Sequence, residues 1–230
     1  MTFTQTAAQQ VLNWSYHRAV KGGGKGQSAA TLAETYLAQA GGDAEQAIRD
    51  YLRYARRRVG TVSFITGLGG LATLPVTIPA EVANTLYVQL RMVTVIAALR
   101  GYDLADDRVK TMSLITLTGN AAEDFLKKAG IAWTGRLSQR VSAATLARIN
   151  QRVGAKLFSV AGEHGLLHFS QIVPVIGAGV GAGVDVAATA ALAVAAKQTF
   201  PLTGQSALRP ANRAAGPVDF SHFDAAAWLQ

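Results

Sequence analysis

The chain of 230 residues has no cysteine, which excludes disulfides and thiolate metal sites and suits a reducing compartment. Its first ten residues hold neither Lys nor Arg and no apolar run, so no secretory signal is expected there. Acid is missing from one long stretch, because nothing between Asp124 and Glu163 carries a negative side chain. Aromatic residues are sparse around that stretch, with only Phe125, Trp133 and Phe158 near its positive charges. That is a thin stacking platform, and no helix-turn-helix or single-strand-binding signature accompanies it, so nucleic acid is not expected as a partner.

Catalytic and cofactor motifs are equally scarce. Gly177-Ala-Gly179-Val-Gly181-Ala182 matches a dinucleotide-binding spacing, but Pro174 interrupts the strand such a motif requires. The acid expected about 20 residues on is missing too. Lys25 near Gly22-Gly23-Gly24 is separated from Ser28 by Gly26 and Gln27, so it does not form a phosphate loop. His164 and His168 lack a third ligand and the H-E-x-x-H order, so no metal site is expected. No nucleophile elbow is present. No cofactor is predicted, and the sequence leaves open whether the protein is an enzyme.

What the chain does contain is a separation of charge from grease. Lys127, Lys128, Arg136, Arg140, Arg148, Arg152 and Lys156 fill the acid-free stretch and nearly account for the formal net charge of +8. On either side lie two apolar runs, from Val59 to Leu90 and from Ile172 to Ala196, each holding a single charge, Glu81 or Asp185. Half the residues are apolar and mean hydropathy is +0.20, much of it from Ala and Gly, a composition that favours closely packed helices.

Helix punctuation recurs and strand signals are poor. The expected helices run from Asn13 to Val20; from a Ser28 cap to Ala40; from an Asp43–Gln46 capping box to about Gly60; and from Pro79 to Arg100. Another opens at Asp103, Asp106 and Asp107 and closes at Lys127, Lys128 and Gly130. The prediction is an all-α fold: a single compact helical domain, residues 1–200, with Gly/Ala-rich central apolar helices, followed by a short irregular tail, residues 201–230.

Three groups of residues stand out as candidate sites. Arg136, Arg140, Arg148, Arg152 and Lys156 recur in multiples of four. A four-residue step precesses by about 40° on a helix, so they form two short patches, 136/140 and 148/152/156, suited to an anionic surface. Gly177, Gly179, Gly181 and Gly183 read as small-xxx-small pairs for close helix contact. Glu81, Arg91 and Asp185 are lone charges in apolar surroundings. They must pair with one another, cap backbone groups, or form a buried polar centre.

The run Phe64-Ile-Thr-Gly67-Leu-Gly69-Gly70-Leu-Ala-Thr-Leu-Pro75-Val-Thr-Ile-Pro79 resembles the signature of the bacterial EcsC family. So do Leu90-Arg91-Met92, Ile96-Ala97, Gly101-Tyr102-Asp103, Leu117-Thr-Gly119-Asn120-Ala121-Ala122, Lys156-Leu157 and Val173-Pro174-Val175-Ile176-Gly177. Gly181, Asp185 and Ala196-Lys197-Gln198-Thr199-Phe200 complete the likeness, which spans roughly residues 11–200; Ser63 departs from it, standing where Gly is expected. The family is named for a product encoded beside an ABC transporter and brings no agreed catalytic residues. The separation of charge from apolar helices, with this resemblance beside it, leads to the expectation of a non-enzymatic, membrane-associated accessory or interaction protein of the bacterial cytoplasm, with an anionic membrane surface or a membrane protein complex as partner. The alternative is a hydrolase-like enzyme built around Glu81, Arg91 and Asp185.

Overall fold

A computed structural model describes residues 5–22, 26–59, 80–118, 141–164 and 182–202. These residues form helices α1 (Gln5–Lys21), α2 (Ala29–Gln39), α3 (Ala44–Val59), α4 (Ala80–Leu99), α5 (Asp107–Thr116), α6 (Ala143–His164) and α7 (Ala182–Thr199). No strand occurs among the described residues, and the fold is all-α as expected.

Helix α4 is the centre. Every residue from Leu90 to Ala97 is buried, so this stretch of the helix, apolar except for Arg91 and Thr94, is enclosed on all sides. Helices α1, α2, α3, α5 and α7 pack around it, while α6 lies further out on α1 and α5. Leu86, Leu90, Ile96 and Leu99 of α4 meet Leu12, Ile48, Leu114, Ile115 and Phe200 in one core. Each such fully buried side chain contributes about 1.5–3 kcal/mol relative to exposure.

The caps explain where the helices begin. Ser28 accepts from the Thr31 N–H at 3.0 Å, and Asp106 accepts from that of Arg108 at 2.8 Å. Asp43 accepts from the N–H groups of Glu45 and Gln46. The expected capping box is only half closed, because the Gln46 side chain donates to Asp50 instead of returning to residue 43.

Two helix lengths differ from expectation. Helix α1 is described from Gln5, eight residues earlier than predicted, because tertiary packing holds its polar first turns. Ala8 is buried, and Gln9 Nε2 donates to the Asn150 carbonyl at 2.7 Å. The helix that opens after Asp106 ends at Thr116, well before Lys127, Lys128 and Gly130. There the Thr118 hydroxyl donates to the Ile115 carbonyl, satisfying a terminal acceptor from outside the helix. Thr116 and Thr199 hydroxyls meet at 3.0 Å, tying that end to α7.

Candidate functional site

The basic face is built on α6. Ser142 caps it, accepting from the Thr145 N–H at 3.2 Å. Leu146, Ile149, Val153 and Leu157 recur at steps of three and four and are all buried. Between them sits Gly154, whose position in mid-helix follows from close contact with α1. A Cβ there would lie 2.9 Å from Gln9 Nε2 and 3.3 Å from Leu12 Cδ1. Docking of that stripe turns Arg148, Arg152 and Lys156 outward, and all three are exposed. Ala144, Ala147, Gln151 and Ala155 share the exposed side, so no acid interrupts it. Arg136 and Arg140 lie outside the described residues.

Arg91 occupies a different environment. It lies at the heart of α4, with 8% of its surface exposed. One guanidinium nitrogen donates to the Ala19 carbonyl at 2.6 Å and the other to the Gln27 carbonyl. Ala19 belongs to the last turn of α1, whose carbonyls have no partner within the helix, so Arg91 caps α1 from a neighbouring helix. Gly22 makes this possible. Its φ of +91° ends α1, and a Cβ there would fall 2.4 Å from the Gly26 carbonyl oxygen, in the strand of chain that presents Gln27. Nearby Tyr51 is fully buried; burial pushes its phenol well above the ordinary range, and the Arg91 charge opposes this. Tyr36 packs edge-on against it, ring centroids 5.6 Å apart.

Glu81 lies on α4 and Asp185 and Gly183 on α7, but their side chains fall outside the described residues, as do Gly177, Gly179 and Gly181 altogether. The structure therefore describes Arg91 alone of the three lone charges.

A second polar group has no signature in the sequence. Glu45, in the first turn of α3, accepts from Arg100 at the end of α4 and from Lys197 of α7, the latter at 2.7 Å. The Arg100 side chain is 8% exposed, whereas Glu45 and Lys197 are 30% and 38% exposed. Beside this hub the Tyr102 hydroxyl donates to the Pro201 carbonyl, and its ring meets Phe200 at 5.0 Å. The contributing residues lie 55 or more positions apart, which is why periodicity gave no hint of them.

Among the described residues no group of three or more His, Asp or Glu side chains could hold a metal ion, and no helix is long and apolar enough to cross a membrane. The model of the EcsC protein family matches residues 1–202, and the chain belongs to that family. Neither a search of curated proteins nor one of solved structures found a match.

Proposed function

We propose that this EcsC-family chain is a non-enzymatic accessory protein that docks peripherally on the anionic cytoplasmic face of a membrane, or on a membrane protein complex there. The observation that carries this reading is the exposed, acid-free side of α6 bearing Arg148, Arg152 and Lys156. The net charge of +8 adds a general attraction to such a surface.

Each cation near an anionic leaflet contributes about 1 kcal/mol at low salt, so three give about 3 kcal/mol. That is a partition factor on the order of a hundred, enough for reversible residence. The attraction acts over roughly 10 Å at 0.1 M salt and weakens as salt rises.

Co-sedimentation with vesicles tests the proposal. Phosphatidylglycerol vesicles should retain the protein, and phosphatidylcholine vesicles should not. Converting Arg148, Arg152 and Lys156 to Gln together, or raising the salt, should release it. Equal retention on both lipids, indifferent to salt, would overturn the reading.

A further inference from the structure

A groove of about 360 Å³ opens between the C-terminal half of α1 and the start of α5. Tyr16, His17 and Lys21 line it from α1, and Leu104, Asp107 and Lys110 line it from the facing segment. Two cations, Lys21 and Lys110, line it against one acid, Asp107. Asp103 and Asp106 stand close enough to act on the Tyr16 wall, but both are held by local bonds. Asp103 accepts from the Ala105 N–H at 2.9 Å, and Asp106 caps α5 while gripping the Arg108 guanidinium. Arg108 holds the Asp106 carboxyl below the ordinary range, so it stays charged and committed. Only Asp107 remains at the rim.

Among the described residues neither Lys21 nor Lys110 has an ion pair. The Lys110 ammonium instead stands 5.9 Å from the centroid of the Tyr16 ring. The Tyr16 hydroxyl donates to the Leu104 carbonyl at 2.9 Å, which fixes the groove wall. His17 registers the resulting field. His17 is itself exposed, but partial desolvation lowers its proton affinity, the charges of Lys110 and Lys21 lower it further, and Asp107 alone opposes them.

We infer that this groove binds a small phosphate ester, with Lys21 and Lys110 on the phosphate, His17 as an additional donor, and Asp107 accepting from a hydroxyl of the ester's alcohol. The apolar wall of Tyr16 and Leu104 suits the carbon skeleton of such an alcohol. None of these residues lies on α6. The same chemistry occurs in a soluble ester such as glycerol phosphate and in a phospholipid headgroup.

A bound phosphate anion favours protonated His17, so its titration midpoint should rise. The experiment follows the imidazole resonances by NMR, assigned by their loss in His17→Gln. Midpoints are compared in glycerol phosphate, in phosphatidylglycerol micelles, and in chloride at matched ionic strength, since screening alone also relieves the lysines. The expected rise is roughly half a pH unit or more over chloride, by loss of like-charge repulsion. Lys21→Gln and Lys110→Gln, both at solvent-accessible positions, should raise the midpoint in chloride and abolish the further rise. A response to glycerol phosphate assigns a soluble ester, and a response to micelles alone assigns a headgroup. No rise with either probe overturns the inference, as does a rise that persists in both lysine variants. The α6 triple variant should respond like the parent, so this site and the basic face stand or fall separately.

Discussion

Arg91 and Arg148 are the same residue in two regions of one molecule, and the regions assign them opposite tasks. At the centre, Arg91 is enclosed by α4's neighbours and both its terminal nitrogens are engaged by carbonyls of Ala19 and Gln27. On α6, Arg148 and Arg152 stand exposed above a stripe of buried aliphatic residues. A buried guanidinium is tolerated only where backbone or carboxylate acceptors satisfy it, so its charge is consumed by the fold. An exposed one contributes little to stability and keeps its charge for something outside. The difference makes stability and partner binding separable by mutation.

The largest expected effect is at the centre. Arg91→Met should destabilise the protein by about 3–5 kcal/mol, because the buried Ala19 carbonyl and the part-buried Gln27 carbonyl lose charge-assisted bonds and nothing replaces them. Arg91→Lys keeps the charge but cannot reach both acceptors, and should fall between Met and the parent. Urea denaturation measures both. Equal stability of Met and parent would erase the contrast with α6. A double-mutant cycle with Asp185→Leu sharpens it, since coupling above about 0.5 kcal/mol would place Asp185 in the same polar group.

The Glu45 hub is intermediate in burial and should be intermediate in effect. Glu45→Ala takes a carboxylate from the buried Arg100 and removes an acid from the first turn of α3. Its partial exposure lets water reach the site, so the expected loss is about 2–3 kcal/mol, below that of a fully enclosed pair. Lys197, more than a third exposed, contributes little of this. Lys197→Met should therefore stay close to the parent in the same urea titration. A Lys197→Met loss as large as that of Glu45→Ala would show that exposure does not order these charges.

What could be read from the sequence divides along the same line. Caps such as Ser28 and Asp106 are local chemistry, and they mark their helices directly. The basic face was legible because period and charge coincide on α6, and the all-α class followed from recurrent punctuation. Arg91 stood out as a lone charge in apolar surroundings, but its acceptors are main-chain carbonyls, which carry no residue signature. The first turns of α1 were missed because they are held by Gly154 and the Asn150 carbonyl, about 140 residues away. The groove was missed for a related reason. Lys21 and Lys110 are ordinary surface lysines until folding sets α1 beside α5.

The smallest stability effect belongs to the face proposed to bind most. Arg148, Arg152 and Lys156 are exposed, and Gln matches Arg and Lys closely in helix propensity. The stripe that docks α6, Leu146 to Leu157, is untouched by the three changes. Converting all three to Gln should therefore shift unfolding by no more than about 0.5 kcal/mol, while removing the retention on anionic vesicles. Thermal unfolding and co-sedimentation on one preparation read both quantities. A loss of more than about 1 kcal/mol would be too large for exposed side chains. It would mean that this side of α6 is engaged within the protein, as Arg91 is, and that the face is not available to a membrane.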